Sequence, residues 1–335
     1  MTSTSTSGYA VEADDLRKAY RTGRGRQPVH ALDGLGFAVE PGTVYGLLGP
    51  NGAGKSTTVR ILSTLSRADS GRAWVAGADV GADPDAVRHR IGLVSQRPSS
   101  DPMATGRENL VLAARIQGLG RADARAHAGR LLDRFGIADA ADRLVRTWSG
   151  GMARKLDVAI GLVHRPQVLF LDEPTTGLDP EARAEMWAEV GRLAGDDRMT
   201  VLLTTHYLDE ADRLAHRLAI IESGRVAVEG TPEQLKSELR GDLLQVELDL
   251  EESAARAAGI VGTVAGVTSV LHEGRTVRAR TDAGARVVPV IVAVLGEAGI
   301  EVTSATVARP SLEDVYLRHA GRSFESTDTL EEVSA

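Results

Sequence analysis

Short apolar runs separated by polar, glycine-rich turns recur along the first two thirds of the chain. Each run is only four to six residues long and rich in Val, Leu and Ile, which favours buried strands over helices. The runs cover 43–48 (TVYGLL), 91–95 (IGLVS), 168–171 (VLFL) and 200–205 (TVLLTT). Between the second and third runs the pattern predicts helical segments over 106–119 and 121–137. Strands alternating with helices predict an α/β fold.

The last third of the chain predicts a second, smaller α/β domain. Its elements follow the order βαββαβ, which suggests a ferredoxin-like or similar fold. The predicted strands are 243–250, 268–272, 276–281 and 300–307, and the predicted helices are 251–260 and 285–298. A final amphipathic helix over 310–322 would pack Leu312, Val315, Tyr316 and His319 at helical spacing.

These patterns predict four parts of the chain. The division is a disordered N-terminus at 1–9, a main domain at 10–238, an accessory or regulatory domain at 239–323 and a disordered acidic tail at 324–335. A length of 335 residues suits about two domains with separate cores.

Composition narrows the functional classes. A net charge of −7 gives no indication of a nucleic-acid partner. The best apolar run, 287–295, is too short for a membrane span, and the start MTSTSTSG has neither the basic nor the apolar part of a signal peptide. The absence of cysteine excludes disulfides and thiolate metal sites and fits a cytoplasmic protein.

The first strand leads into a phosphate-binding motif. The segment GPNGAGKST at 49–57 matches G-x-x-x-x-G-K-[ST]. Its glycines let backbone N–H groups surround a phosphate chain, and the helix beginning near Lys55 adds its positive dipole end. Lys55 would reach the β- and γ-phosphates and the Ser56 hydroxyl would bind Mg²⁺, so we predict an ATP and Mg²⁺ site.

The other strands end in groups suited to hydrolysis. Asp172 is placed to hold Mg²⁺, and Glu173 to accept a proton from the attacking water. His206 would reach the γ-phosphate or that water, and Gln96 would coordinate Mg²⁺ and orient water. The plainer alternatives are a surface Asp-Glu that ends a strand and a structural histidine. The phosphate motif argues against both, because the carboxyl ends of such strands form one edge of the sheet.

The order of these motifs resembles that of the ATP-binding cassette (ABC) ATPases over about residues 10–235. The family combines a P-loop NTPase, RecA-like core with an antiparallel β-subdomain and a helical subdomain, here about 97–163. By resemblance, Tyr20 stacks on adenine, Gln96 is the Q-loop, 169–174 is Walker B and 204–206 carries the switch histidine. Walker A comprises Gly49, Pro50, Asn51, Gly52, Ala53, Gly54, Lys55, Ser56 and Thr57; the signature comprises Ser149, Gly150, Gly151 and Met152; the D-loop comprises Gly177, Leu178 and Asp179.

The resemblance also implies partners. Lys55, Ser56 and Asp172 define one metal–phosphate site, which leaves the Ser149 helix start without a ligand. In this family the signature serves the nucleotide of a second subunit, so we expect a head-to-tail homodimer. The helical subdomain would face a separate transmembrane permease, placing the protein at the cytoplasmic face of the cell membrane as a peripheral subunit.

Two departures and the C-terminal tail refine the expectation. Trp148 replaces the usual Leu and Ala153 a common Gln, which leaves details of the subunit interface in doubt. The tail PSLEDVYLRHAGR at 310–322 resembles that of daunorubicin-resistance exporters. We therefore expect the ATPase subunit of an exporter of a hydrophobic drug. The alternatives are export of a lipid, polysaccharide or ion by the same kind of subunit, and a soluble ABC ATPase, which a single cassette and a negative net charge disfavour.

Overall fold

The computed structural model describes residues 8–21, 28–239, 241–281 and 284–320. The chain divides into two compact units, with the described residues up to Pro232 in the N-terminal unit and the described residues 233–320 in the C-terminal unit. This division falls before the predicted domain end at 238. In the described part of the chain, no helix is long and apolar enough to cross a bilayer. Segments 1–7 and 324–335, where disorder was predicted, lie outside the described residues.

The N-terminal unit mixes strands and helices along its whole length. Its elements are β1 (Val11–Tyr20), β2 (Val29–Val39), β3 (Val44–Leu48), α1 (Lys55–Leu62), β4 (Ser70–Val75), β5 (Ala78–Asp79), α2 (Pro84–Arg90), β6 (Ile91–Val94), α3 (Gly106–Ile116), α4 (Arg121–Arg134), α5 (Gly150–Gly161), β7 (Val168–Asp172), α6 (Pro180–Gly195), β8 (Thr200–Thr205), α7 (Leu208–Leu214), β9 (Arg217–Glu222) and β10 (Arg225–Gly230).

A six-stranded sheet forms the centre of this unit, in the order β10-β9-β3-β8-β7-β6. The pairs from β9 through β6 are parallel, and β10 joins antiparallel to β9. Strands β3, β7 and β8 are buried at every position, because helices or the second sheet cover both faces. The four strands predicted from apolar runs are confirmed, with ends shifted by one residue at most.

Two further layers complete the expected cassette fold. A four-stranded antiparallel sheet has the order β2-β1-β4-β5, and the helices α3, α4 and α5 lie between β6 and β7 in the chain. One apolar cluster fills the space beneath the antiparallel sheet, and a second joins the α3–α5 helices to the central sheet. The prediction of a P-loop core with a β-subdomain and a helical subdomain is therefore confirmed.

The C-terminal unit has the predicted ferredoxin-like topology. Its four-stranded antiparallel sheet has the order β12-β13-β11-β14, with α9 and α10 against one face. The elements are α8 (Pro232–Ser237), β11 (Asp242–Leu248), α9 (Ala254–Val261), β12 (Val267–Glu273), β13 (Thr276–Thr281), α10 (Gly284–Glu297), β14 (Val302–Ala308) and α11 (Leu312–Ala320).

The last helix follows its predicted pattern with one exception. Leu312, Val315 and Tyr316 are buried, as their helical spacing predicts. His319 is exposed and lies 3.7 Å from the Glu238 carboxylate, so the prediction that it packs with this stripe is wrong. An imidazole on the polar side of an amphipathic helix gains more from water and a carboxylate than from burial.

Ile291→Ala tests whether the C-terminal unit depends on its own core. Ile291 on α10 is fully buried, so the truncation should lower the free energy of unfolding of this unit by about 2–5 kcal/mol. The matched control is Val290→Ala, since Val290 is 48% exposed on the same helix. Hydrogen-exchange protection of the β11 amides measures the effect, and equal losses in the two variants would contradict the assignment.

Candidate active site

The P-loop, residues 49–57, connects β3 to α1. Strand β3 ends at Leu48, and α1 begins at Lys55 with Ser56 and Thr57 in its first turn. Gly54 precedes the helix with φ of 109°, and a Cβ at this position would lie 2.5 Å from the Ala31 carbonyl oxygen. Only glycine fits both the backbone conformation and the space. The loop can therefore turn tightly and direct the first N–H groups of α1 toward a ligand.

The Lys55 ammonium lies inside this loop and is only 4% exposed. Its Nζ donates hydrogen bonds to the carbonyl oxygens of Gly49 at 2.6 Å and Pro50 at 3.1 Å. The Glu173 carboxylate is 3.7 Å away. A buried cation surrounded mainly by neutral carbonyls is suited to a strongly anionic ligand such as a polyphosphate.

Asp172, at the end of β7, accepts hydrogen bonds from two hydroxyl groups. Its Oδ1 accepts hydrogen bonds from Ser56 Oγ at 3.1 Å and from Thr204 Oγ1 at 2.6 Å. Carboxylate and hydroxyl oxygens are the protein ligands that Mg²⁺ prefers, so this donor set fits the predicted metal. Thr204 was not singled out from the sequence, although its place in the TTH segment was the available signal.

The backbone of Glu173 adopts an unusual conformation. Its φ is 49°, in the left-handed region that costs a non-glycine residue about 1–3 kcal/mol. The Glu173 N–H donates to both Thr204 Oγ1 at 3.1 Å and the Thr204 carbonyl oxygen at 3.2 Å. These bonds to β8 stabilise the turn at Glu173, which directly follows the end of β7.

The Glu173 carboxylate is the meeting point of the predicted catalytic groups. Gln96 Nε2 donates to Oε2 at 3.1 Å, and Thr176 Oγ1 donates to the same oxygen at 3.3 Å. His206 Nδ1 lies 3.4 Å from Oε2, an electrostatic contact without hydrogen-bond geometry. The structure therefore brings together Lys55, Gln96, Glu173 and His206, which belong to four different segments.

The electrostatics of this cluster favour an ionised Glu173. Burial raises the pKa of its carboxyl group, but contact with His206 and the Lys55 cation outweighs burial, and the pKa lies below its ordinary value. A general base must be ionised at the working pH, and Glu173 meets that condition.

Arg154 is a buried residue of the site that the sequence analysis missed. It lies on α5 and donates to the Ser95 carbonyl oxygen at 2.7 Å and to that of Pro174 at 2.8 Å. Its Nη2 also donates to the carbonyl oxygens of Asp172 and Glu173, both at 3.2 Å. No motif spacing signals this role, because the four partners are backbone groups.

The signature segment, residues 149–152, forms the start of α5. Ser149 is the N-cap residue, and its Oγ accepts a hydrogen bond from the Met152 N–H at 3.3 Å. Ser149 and Gly150 are exposed, whereas Gly151 is buried against α6. A Cβ at Gly151 would lie 2.7 Å from Ala182 Cβ, so glycine permits the close approach of the two helices.

The D-loop, residues 177–179, leads into α6. Gly177 has φ of 77°, Leu178 is half-buried, and the Asp179 side chain accepts a hydrogen bond from the Ala182 N–H at 2.9 Å as the N-cap of α6.

Trp148, which replaces the usual Leu before the signature segment, packs within the N-terminal unit. A Cβ at Gly106 would lie 2.3 Å from the Trp148 ring, so glycine at 106 leaves room for that ring.

Tyr20 lies apart from the hydrogen-bonded cluster. It ends β1, is 37% exposed, and the Lys18 ammonium lies 5.6 Å from its ring centre. An exposed ring at a strand end is compatible with a base stacking on it, and the adenine contact stays a prediction.

Comparison with known proteins gives the family. The "ABC transporter" family model matches residues 32–176, and the model of the "ATP-binding protein DrrA1-3-like, C-terminal domain" matches 230–320. The daunorubicin/doxorubicin resistance ATP-binding protein DrrA of Streptomyces peucetius is 46% identical over 326 residues, with 96% of each chain covered. This chain belongs to the ATP-binding proteins of the ABC transporter family.

Other members of the ABC family are similar over most of the chain. The Nod factor export ATP-binding protein I of Burkholderia thailandensis is 40% identical over 296 residues, which cover 88% of this chain and 93% of that protein. Among solved structures, cbiO1 from Clostridium perfringens, part of the ABC transporter complex cbiONQ, has a TM-score of 0.62 at 27% identity. That match covers 69% of this chain and 92% of cbiO1, so it supports the fold of the ABC cassette.

Glu210 is a second buried residue that the sequence analysis missed in this ABC protein. It lies on α7, after His206, and is fully buried. Its Oε1 accepts hydrogen bonds from Thr175 Oγ1 at 2.8 Å and from Trp187 Nε1 at 3.0 Å. Glu210 thus joins α7 to the segment after Asp172 and to α6. Burial raises the pKa of its carboxyl group above the ordinary value.

Glu210→Gln should stabilise the protein increasingly as the pH rises. A raised pKa means that the fold favours the protonated carboxyl, so the native protein loses this contribution as pH rises through the folded-state pKa. Glutamine keeps a neutral Oε1 acceptor at every pH. We expect a melting temperature close to that of the native protein at about pH 4 and above it at about pH 8.

Thermal unfolding across this pH range measures the difference. Glu40→Gln is the control, because Glu40 is an exposed carboxyl of the same unit. A Glu210→Gln variant whose advantage shrinks with rising pH would contradict the raised pKa.

Proposed function

We propose that this chain is the ATP-hydrolysing subunit of an ABC exporter and that two copies close over two ATP molecules. The observation that carries the proposal is the cluster of Lys55, Ser56, Asp172 and Glu173 at one edge of the central sheet, joined by contacts of 3.1 to 3.7 Å. A buried cation, two oxygen ligands and a carboxylate base are the groups that ATP hydrolysis requires.

Binding depends on the P-loop. Its N–H groups surround the phosphates, and Lys55 provides a positive charge beside the β- and γ-phosphates. Ser56 and Asp172 would hold Mg²⁺, which supplies charge neutralisation of the phosphates when bound. Gln96, which already contacts Glu173, is expected to join that metal, and Tyr20 to stack on the adenine.

Hydrolysis depends on Glu173. The ionised carboxylate accepts a proton as a water oxygen bonds to the γ-phosphorus, while the bond to the bridging oxygen breaks and ADP leaves. His206 and Gln96 contact the carboxylate on one oxygen, so they hold its direction toward the water. The lowered pKa of Glu173 keeps this base ionised at neutral pH.

A second chain would complete each site. The exposed start of α5 at Ser149 offers N–H groups and the positive end of a helix dipole, features that bind anions. In a head-to-tail homodimer, this signature end of one chain faces the γ-phosphate on the other, and the D-loop at 177–179 lies beside it. ATP then holds the two copies together, and loss of phosphate releases them.

The exporter also needs a separate transmembrane permease, which would hold this subunit at the cytoplasmic face of the cell membrane. The name of the similar Streptomyces peucetius protein favours a hydrophobic drug as the cargo. The similar Burkholderia protein is named for the export of a different molecule, a Nod factor, so export of a lipid, polysaccharide or ion by the same kind of subunit stays the second candidate.

Glu173→Gln tests the composite site. The variant should bind ATP, hydrolyse it at least about 100-fold more slowly, and accumulate as a dimer, because the base is lost while the cation and metal ligands remain. Size-exclusion chromatography with ATP and Mg²⁺ measures the dimer, and phosphate release measures hydrolysis.

Lys55→Ala is the matched control for that experiment. Without the ammonium inside the P-loop, ATP binding should be lost and the protein should stay monomeric. Full ATPase activity in Lys55→Ala, or a Glu173→Gln variant that stays monomeric while it binds ATP, would contradict the proposal.

A further inference from the structure

Arg154 contacts two of the segments that carry predicted catalytic residues. It is 9% exposed and lies on α5, five residues after the Ser149 cap. Its guanidinium donates to the carbonyl oxygens of Ser95, Asp172, Glu173 and Pro174. One side chain of the signature helix therefore contacts both the segment that carries Gln96 and the turn that carries Glu173.

The number and direction of these bonds point to more than packing. Three consecutive carbonyl groups, those of residues 172 to 174, face the same guanidinium. Burying an arginine is costly unless its N–H groups are satisfied, and a planar fork with several donors can satisfy carbonyls that point in from different directions. A lysine has a single nitrogen and cannot reproduce that geometry.

The hydrogen bonds of Arg154 restrain the backbone beside Gln96 and Glu173, whose side chains must be oriented for hydrolysis. Glu173 has a strained backbone with φ of 49°, and its N–H is held by Thr204 while its carbonyl oxygen is held by Arg154. Ser95 immediately precedes Gln96, whose amide contacts the Glu173 carboxylate. Arg154 thus restrains the backbone on both sides of the Gln96–Glu173 contact.

We propose that Arg154 is a positioning residue that makes the signature helix and the Glu173 turn one mechanical unit. In the dimer of the proposed function, on which this inference rests, α5 binds the γ-phosphate of the partner's nucleotide at its Ser149 end. Movement of α5 on binding is passed through Arg154 to the chain's own Glu173 and Gln96. Occupation of one ATP site thereby sets the geometry of the base in the other.

Arg154→Lys tests the positioning role, because it keeps the charge and removes the fork. We expect kcat for ATP hydrolysis to fall about 10- to 100-fold, while KM for ATP stays within about twofold, since a small misplacement of the base slows chemistry without changing the P-loop. Arg154→Gln, which also removes the charge, should lower kcat at least as far.

Lys155→Gln is the matched control. Lys155 is the next residue on α5 and pairs with Glu185 of α6 at 2.7 Å, with no bond to the Glu173 turn. Its kcat should stay within about twofold of the native value. Melting temperatures of the three variants show whether each is folded. If Arg154→Gln does not fold, the kinetics of Arg154→Lys alone decide the test.

A double-mutant cycle tests the transmission. If the signature end acts on Glu173 through Arg154, the two substitutions interrupt the same connection. Arg154→Lys should then reduce kcat by a smaller factor in the Ser149→Ala background than in the native chain. Native kcat in Arg154→Lys, a loss confined to KM, or strictly multiplicative effects in the cycle would each overturn the inference alone. Absence of ATP hydrolysis by the native chain would instead overturn the proposed function and the inference together.

Discussion

The parallel pairing of β3, β8 and β7 is the constraint on which the site depends. In this register Leu48 lies beside Thr205, and Thr204 lies beside Asp172. The three strands therefore end at one edge of the sheet, where the P-loop, the Asp172–Glu173 pair and His206 follow directly. Residues more than a hundred positions apart in the chain, such as Ser56 and Asp172, come within 3.1 Å because the strands between them are buried and in register.

Charge balance then determines what this edge can do. Lys55 is buried among carbonyls, and Glu173 is buried beside Lys55 and His206, so each buried charge has polar or charged groups around it that offset the cost of its burial. The same arrangement lowers the pKa of Glu173, so its carboxylate is ionised at neutral pH, as the proposed role of general base requires. Arg154 adds a third buried charge, whose bonds to backbone carbonyls hold the strained turn instead of entering the chemistry.

The sequence predicted the elements whose signal is local. Continuous apolar runs marked β3, β7 and β8, and the glycine-rich loop marked the start of α1 at Lys55. The βαββαβ order of the C-terminal unit could also be predicted, because the spacing of apolar residues differs between strands and helices. The placement of Lys55, Gln96, Glu173 and His206 in one cluster followed from these strand ends.

Contacts that exist only in the folded chain were missed. Arg154 and Glu210 bind groups that belong to other segments, so no spacing in the sequence indicates them. The packing of the Trp148 ring over Gly106, where a side chain would collide with it, was not predicted either, and an effect of Trp148 on the subunit interface stays a prediction. His319 was expected in an apolar stripe, but it pairs with Glu238 on the exposed side of α11.

Cross-linking between chains tests the central claim that each copy completes the other's site. The chain has no cysteine, so single cysteines can be introduced at the exposed positions Asn51 and Ser149 without background. Mixing the Asn51→Cys and Ser149→Cys variants in a Glu173→Gln background with ATP and a short bismaleimide should give a cross-linked pair, and either variant alone should not. Cross-linking that is absent with ATP, or equally strong in Ser149→Cys alone, would contradict the head-to-tail arrangement.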